Sequence, residues 1–259
     1  MSAGLVGVAT ARGAAGLGDP DPAGTAASPA GLDEGRPAAA PSPAAAQRAV
    51  GGGPPAGVVS RLPGNGSSLA LTVDDGTSSE VVAALVDLAH RTGLRLTFFP
   101  NGVYRSWADN ARALRPLIES GQVAVGNHTW SHPDLTTLTD AQIADQLTRN
   151  QAFLRSTLGV ERTPFFRPPF GSHDARVDRI AAEVGHPTVV LWYGTLGDDR
   201  VLTPAQVLAN ARTWFQPQHI VIGHANHPAV THVTDDLVEL IHSRRLETVT
   251  LADVWPSGR

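Results

Sequence analysis

Beyond Ser67 the chain alternates short apolar runs with longer stretches in which apolar residues recur at helical spacing. Each apolar run is ended by Gly, Asn, Asp or Pro, a pattern typical of buried strands followed by amphipathic helices. The runs predict strands at residues 69–73, 94–99, 123–125, 188–192, 219–222 and 248–250, and one more strand that ends at residue 166. The intervening stretches predict helices at residues 79–91, 107–120, 139–158, 175–184, 203–215 and 233–243.

Six or seven strand-then-helix units therefore follow one another with short connections. This repetition indicates a parallel sheet, because parallel neighbours need a crossover connection between them. Placing so many units in about 190 residues favours closure of the sheet into a β/α barrel. An open, doubly wound sheet is the alternative fold.

The segment before these units has a different composition. Ala, Gly and Pro make up about two-thirds of residues 1–57, and every Phe, Tyr and Trp lies beyond them. Such a segment cannot bury enough apolar surface to offset the entropy of ordering, so we predict a linker over residues 1–57 and one domain over residues 58–259. The apolar run Leu5–Ala9 is too short for a membrane span. It is either the remnant of a secretory signal or unstructured chain.

The charge and cysteine content exclude several classes of protein. The chain has 20 basic and 24 acidic residues, a net charge of -4 and no cysteine. The scattered charges argue against a nucleic-acid partner, and the lack of cysteine excludes disulfides, thiolate zinc sites and a cysteine nucleophile. Neither a phosphate-binding loop nor the nucleophile motif of serine hydrolases is present. We also expect a monomer without a membrane span. The possible secretory signal and the linker lead us to expect a secreted or wall-associated protein outside the cytoplasm.

Polar residues that could take part in catalysis or metal binding follow the predicted strands. They are Asp74 and Asp75 after the first strand, Asn127 and His128 after the third, Arg167 after the fourth, Asp198 and Asp199 after the fifth, and His224 after the sixth. In a parallel barrel the carboxyl ends of all strands open on one face. We therefore expect these side chains to converge on one site.

Two histidines spaced four residues apart, His128 and His132, suggest a metal site. Two imidazoles on one turn and a carboxylate from another loop can hold a divalent ion and leave positions open for water. The histidine pair alone is weak evidence, and the Asp74–Gly76 segment alone is more often a turn. Their joint occurrence at the ends of apolar strands favours the metal site.

These motifs together resemble the polysaccharide deacetylases of the NodB-homology type, carbohydrate esterase family 4, over about residues 67–255. The matching segments are Thr72–Gly76, Gly126–Pro133, Arg167–Gly171 and Ile222–His224. The resemblance implies a distorted (β/α)7 barrel with a divalent metal on Asp75, His128 and His132. Zinc is expected, with cobalt, nickel or manganese as alternatives. The implied reaction is hydrolytic removal of acetyl groups from an N-acetylated glycan such as peptidoglycan or chitin.

The same residue types suit the individual steps of such a hydrolysis. Asp74 is the expected base for the attacking water, and Arg167 is expected to pair with Asp74 and keep it ionised and oriented. The backbone N–H of Phe170 corresponds to the family's oxyanion donor. His224 is expected to protonate the leaving amine, with Asp198 holding the imidazole charged.

The chain departs from the family in its fourth motif. Aligned by eye, Thr195 replaces an Asp, and Asp199 replaces a Trp that helps to wall the acetyl pocket in the family. We therefore expect a more polar or differently closed pocket. Phe170 stands where the family usually has Tyr, which matters little if only its backbone N–H is used.

Several alternatives stay open at this point. The chain could instead be an O-acetyl esterase acting on xylan, a small-amide hydrolase, or a glycan-binding domain without turnover. Trp130 and Trp192 could stack on sugar rings or belong to the core. His227 is interpreted as a polar residue at the rim of the site rather than as a second metal ligand.

Overall fold

The computed structural model describes residues 53–256. In chain order this part contains β1 (Gly57–Val59), β2 (Ser68–Asp75), α1 (Ser79–Thr92), β3 (Leu96–Pro100), α2 (Ser106–Asp109), α3 (Ala111–Glu119), β4 (Val123–Val125), α4 (Asp140–Phe153), β5 (Phe165–Phe166), α5 (Ala175–Glu183), β6 (Thr188–Val190), β7 (Gly194–Thr195), α6 (Pro204–Trp214), β8 (Ile220–His224), α7 (Thr234–Ser243), β9 (Glu247–Thr248) and α8 (Leu251–Val254). All the predicted strand and helix regions are present, with ends shifted by a few residues.

Seven parallel strands form a distorted barrel. One sheet runs in the order β4-β3-β2-β8-β7, and a second in the order β1-β6-β5. A parallel bridge between Asn127 and Phe166 joins the end of β4 to β5 and so connects the two sheets. The series β6-β5-β4-β3-β2-β8-β7 is therefore continuous, and β1 pairs with the outer edge of β6. Among the described strands no strand pairing joins β1 to β7, so the barrel is open there. The predicted barrel is confirmed over the doubly wound alternative.

Local side-chain caps explain where the main helices begin and end. The Ser78 hydroxyl caps the start of α1, and Gly93, in the left-handed conformation at φ 74°, ends it. Thr139 and Gln142 form a reciprocal capping box at the start of α4. Beyond α4, wider helical turns continue over Leu154–Leu158. The sequence predicted both of these helix starts.

The helix predicted over residues 107–120 is divided in two. Its break falls at Asn110, whose side-chain amide donates to the Ser106 and Ser79 carbonyl oxygens. Asn side chains compete in this way with the helical hydrogen bonds of the backbone. The predicted single helix is therefore α2 followed by α3.

The chain enters the barrel slightly earlier than predicted. Gly57 pairs with Thr188 in the register of β1 with β6, and the Thr188 hydroxyl donates to the Pro55 carbonyl oxygen. β1 has three residues, too few for a recognisable alternation of apolar and polar positions. Residues 1–52 lie outside the described part of the chain, so the division at residue 57 stays a prediction.

Helices pack their apolar faces on the outside of the strands. In α1, for example, Val82, Leu85 and Val86 are buried in the largest core cluster, and the partly buried Leu71 of β2 packs against it. Burial of this outer layer leaves the carboxyl ends of the strands free to carry polar groups. Within residues 53–256 no helix has the length and apolar character needed to cross a membrane.

Candidate functional site

The structure brings the predicted polar residues together at the carboxyl ends of the strands. Asp74 and Asp75 end β2, and His224 ends the neighbouring β8. Backbone pairing places Asp74 directly beside His224 across these two strands. Arg167 follows β5 and lies within hydrogen-bond distance of Asp74. Side chains from separate parts of the chain therefore form one cluster.

Three side chains of this cluster form a donor set suited to a metal ion. Asp75 Oδ1 lies 3.3 Å from the Nε2 atoms of both His128 and His132. One candidate ligand atom from each residue lies within 4.8 Å of the others. Asp75 Oδ1 is buried and has no hydrogen-bond partner among the described residues. Two imidazole nitrogens and one carboxylate oxygen suit Zn²⁺ or a similar divalent ion, which would satisfy that oxygen.

The surroundings determine the tautomer of His128 and favour the neutral form of His132, whereas the charges of Asp74 and Asp75 outweigh burial and raise the pKa of His128. His128 Nδ1 lies 2.7 Å from the Arg167 carbonyl oxygen, which can only accept a hydrogen bond. Nδ1 therefore carries the proton, and in the neutral ring Nε2 offers its lone pair toward Asp75. Burial lowers the pKa of His132 below its ordinary value, which favours the neutral, coordinating form of that ring.

The two histidines lie in an irregular loop, not on a helical turn. Thr129 has φ 70° and His132 has φ 61°, both in the left-handed region. Asp75 and Phe170 also have a φ of 60°, so four of the six non-glycine residues with positive φ in the described chain belong to this site. Such conformations persist only where surrounding contacts impose them. The expectation that both histidines share one turn was wrong.

A network of three buried asparagines holds this loop in place. Asn101 donates from its amide to the carbonyl oxygens of His128 and Thr129. Asn150 donates to Asn127 Oδ1 at 2.9 Å, and the same oxygen accepts from the Thr129 backbone N–H at 3.0 Å. All three asparagines are fully buried. These hydrogen bonds restrain the backbone of the histidine loop at His128 and Thr129.

Asp74 forms a buried ion pair with Arg167. Arg167 Nη1 donates to Asp74 Oδ1 at 2.6 Å, and Nε donates to the Val190 carbonyl oxygen at 3.1 Å. The guanidinium is fully buried and lies 4.3 Å from the centre of the Phe99 ring. The second oxygen of Asp74 is 3.5 Å from His128 Nε2. Arg167 therefore holds one carboxylate oxygen, and the other faces the candidate metal ligands.

His224 is paired with Asp198, as expected from the sequence. Its Nδ1 lies 3.1 Å from Asp198 Oδ1, and the carboxylate is buried. Burial lowers the pKa of His224, but the hydrogen bond to Asp198 and the nearby charge of Asp74 outweigh that effect and raise the pKa to about 8. The imidazole is therefore largely protonated at neutral pH.

Phe170 lies at the rim of the site, and Asp199 is exposed next to Asp198 in the chain. Phe170 is 71% exposed, and its ring meets the His132 ring edge-on, with the ring centres 4.6 Å apart. Asp199 is exposed, so its carboxylate remains solvated and carries no cost of burial. Its predicted influence on an acetyl pocket stays a prediction.

Comparison with known proteins identifies the family. The model of the family described as polysaccharide deacetylase matches residues 61–189. A peptidoglycan-N-acetylglucosamine deacetylase of Listeria monocytogenes is 28% identical over 187 residues, which are 72% of this chain and 38% of that protein. An uncharacterised protein of Streptomyces coelicolor is 33% identical over 186 residues, 70% of each chain.

The chain belongs to the polysaccharide deacetylase family. A chitin deacetylase of Saccharomyces cerevisiae is also similar, at 30% identity over 185 residues, which are 69% of this chain and 58% of that protein. The chain thus spans well under two-thirds of the length of the Listeria and yeast relatives.

Solved structures of the family share the fold. A family 4 carbohydrate esterase from Streptomyces lividans, in complex with acetate, has a TM-score of 0.63 and 24% identity over 72% of this chain and 94% of its own. A family 4 pseudoenzyme from Bacillus anthracis has a TM-score of 0.68 and 21% identity over 78% of this chain and 69% of its own. Because the family contains a pseudoenzyme, membership alone does not establish activity.

Trp130 and Trp192 are both half-buried in this polysaccharide deacetylase domain. The Arg149 guanidinium lies 4.1 Å from the centre of the Trp130 ring. Gly102 packs so closely against the same ring that a Cβ there would come within 2.7 Å of it. Trp192 packs against a buried core cluster. Both rings contact neighbouring side chains and keep part of their surface exposed, so core packing and sugar stacking both stay predictions for them.

Sequence reasoning missed three polar residues that support the site, Asn101, Asn150 and Asn226. The signal for Asn150 was available, because it lies on the buried face of α4 with Ile143 and Leu147. A polar residue on such a face needs a buried partner. Asn101 and Asn226 follow the carboxyl ends of β3 and β8, so the rule that polar residues after strands converge on the site could have found them as well.

Proposed function

We propose that this chain removes acetyl groups from an N-acetylated glycan, of the peptidoglycan or chitin type, by metal-dependent hydrolysis. One observation carries the proposal: the Asp75 oxygen without a hydrogen-bond partner among the described residues faces two imidazole nitrogens, and the same cluster holds the Asp74 carboxylate paired with Arg167 and a His224 with a raised pKa. Metal-dependent hydrolysis of an amide needs a metal ion, a general base for the water and a general acid for the leaving nitrogen, and this cluster has candidates for all three.

Asp75, His128 and His132 are the proposed ligands of the metal. The donor set favours Zn²⁺, with Co²⁺, Ni²⁺ or Mn²⁺ as alternatives. When bound, such an ion supplies Lewis acidity, which lowers the pKa of a water molecule and polarises the acetyl carbonyl.

We assign the proton transfers of the reaction to side chains of the site. Asp74 accepts the proton of the attacking water on the oxygen that Arg167 leaves free. The backbone N–H of Phe170 donates to the oxyanion that develops on the carbonyl. His224 gives its proton to the nitrogen as the carbon–nitrogen bond breaks, and Asp198 stabilises the charged imidazole. The products are acetate and a free amine.

The paired His224 and Asp198 favour an enzyme over a binding domain without turnover. A binding domain gains nothing from a buried base, its orienting Arg167 and a protonated imidazole in one cluster. Acetate release from chitin oligomers, peptidoglycan fragments and acetylxylan, with and without added Zn²⁺, tests the proposal. Release from acetylxylan alone would indicate an O-acetyl esterase, and no release from any of the three would contradict enzymatic activity.

The names of the relatives support a substrate in the cell wall. The Listeria relative is a peptidoglycan deacetylase and the yeast relative a chitin deacetylase. Peptidoglycan and chitin are both extracellular polymers of N-acetylated sugars. We therefore propose that the protein acts outside the cytoplasm on one of them.

The metal assignment predicts a large loss of affinity when either histidine is removed. In His128→Ala or His132→Ala only two protein ligands remain, so we expect Zn²⁺ affinity to fall by more than the roughly 10- to 100-fold typical of changes to the residues behind the ligands. Elemental analysis after dialysis measures the bound metal. His90→Ala, an exposed change on α1, serves as the control. Equal metal content in all four proteins would reject the assignment.

The pairing of His224 with Asp198 predicts a change in the pH profile. His224 acts as an acid only when protonated, so kcat/KM should fall as the pH rises through the pKa of its imidazole, about 8 in the folded protein. Asp198→Asn removes a hydrogen-bonding carboxylate that raises this pKa. The descending limb of the profile should therefore move to lower pH.

The adjacent carboxylate provides a matched control. Asp199 is exposed and Asp198 is buried against His224, so Asp199→Asn should leave the limb where it is. Identical limbs in the wild type and Asp198→Asn would contradict the assigned role of His224 as the acid.

A further inference from the structure

One contact to a candidate metal ligand comes from a residue outside the donor set. Asn226, two residues beyond the end of β8, donates from its side-chain nitrogen to Asp75 Oδ2 at 2.7 Å. Its side-chain oxygen accepts from both the backbone N–H and the hydroxyl of Thr77, at 3.1 and 3.0 Å. Asn226 thus connects the loop after β8 with the loop after β2.

The partners determine which way the Asn226 amide points. The backbone N–H of Thr77 can only donate, so the amide oxygen must face it. The amide nitrogen is then directed at Asp75, where an ionised carboxylate can only accept. The Asn226 side chain thus accepts from Thr77 through its oxygen and donates to Asp75 through its nitrogen, and the opposite orientation of the amide would break these hydrogen bonds.

Because of this contact, the two carboxylate oxygens of Asp75 have different surroundings. Oδ2 is held by Asn226, whereas Oδ1 is buried, faces both histidines and has no hydrogen-bond partner among the described residues. The backbone of Asp75 is fixed separately, because its carbonyl oxygen accepts from Trp107 Nε1 at 2.8 Å and from the Asn101 N–H at 3.2 Å. The remaining freedom is rotation of the carboxylate, and Asn226 restricts it.

We propose that Asn226 is a positioning residue for the metal, in that it makes Asp75 a ligand through one oxygen only. This inference rests on the proposed metal site. A carboxylate that offers both oxygens would occupy an additional position on the ion. Holding Oδ2 away therefore preserves an open position for water and substrate.

Removal of the Asn226 side chain should weaken and alter metal binding. For Asn226→Ala in the full chain, we expect Zn²⁺ affinity, measured by competition with a chelator, to fall by about 10- to 100-fold. The visible absorption spectrum of the Co²⁺-loaded protein should also change, because it reports the number and geometry of ligands. A purely structural role would not move the spectrum of the bound ion.

Two further variants make the test specific. His227→Ala changes the next residue of the same loop and should leave both the Zn²⁺ affinity and the Co²⁺ spectrum as in the wild type. Thr77→Val removes one of the two donors to the Asn226 oxygen and should produce a smaller loss of affinity than Asn226→Ala. Thermal melting of the metal-free proteins checks that each variant is folded. If Asn226→Ala does not fold, the test uses Thr77→Val.

The outcomes separate this inference from the proposed function. A wild-type protein that binds neither Zn²⁺ nor Co²⁺ would overturn the metal site itself. A wild type that binds both, with Asn226→Ala and Thr77→Val showing unchanged affinity and an unchanged Co²⁺ spectrum, would leave the site intact and overturn the role of Asn226.

Discussion

Asp74→Asn is expected to lower turnover by about 10²- to 10⁴-fold while leaving the metal bound, the effect of removing a general base. The amide cannot accept the proton of the attacking water. Asp74 is not one of the three candidate ligands, and one of its oxygens is already held by Arg167 at 2.6 Å. The measurements are acetate release under saturating substrate and metal content by elemental analysis.

The neighbouring carboxylate provides the contrast. Asp75→Asn replaces the charged ligand with a neutral amide, so we expect both turnover and metal to be lost. Melting temperatures are needed for both variants, because Asp74→Asn also leaves the buried Arg167 without its charged partner. Near-normal turnover in a folded, metal-loaded Asp74→Asn protein would remove the base role from this residue.

Arg167→Met is expected to destabilise the fold by about 3 to 5 kcal/mol, the usual effect of breaking a buried ion pair from one side. Asp74 is 2% exposed and would be left as an uncompensated buried charge. The Val190 carbonyl oxygen would also lose its Arg167 donor. Denaturant unfolding of the metal-free protein measures the change in the free energy of unfolding.

Two further variants show whether the loss of stability in Arg167→Met comes from breaking a buried pair of charges. Arg91→Met breaks an exposed pair with Asp87 on α1 and should barely change the unfolding midpoint. Combining Arg167→Met with Asp74→Asn should recover part of the loss, because the carboxylate is then neutral. A double variant no more stable than Arg167→Met alone would contradict a coupling between the two buried charges.

The sequence alone determined the class of fold and the location of the site. Continuous apolar runs in the strands and stretches with helical spacing reflect local geometry, so they could be recognised without the structure. Helix starts at Thr139 and Thr203 were predictable for the same reason, since their caps involve residues only three positions away. Parallel connectivity then requires the residues after each strand to meet on one face.

Only the tertiary structure decided how the side chains of the site are paired. The left-handed conformation of His132, the one-sided hold of Arg167 on Asp74 and the contact of Asn226 with Asp75 all depend on residues brought from distant parts of the chain. Strand β1 likewise exists through its pairing with β6 and has no pattern of its own. Local spacing carries no information about such contacts, because their geometry is set by the packing of the whole barrel.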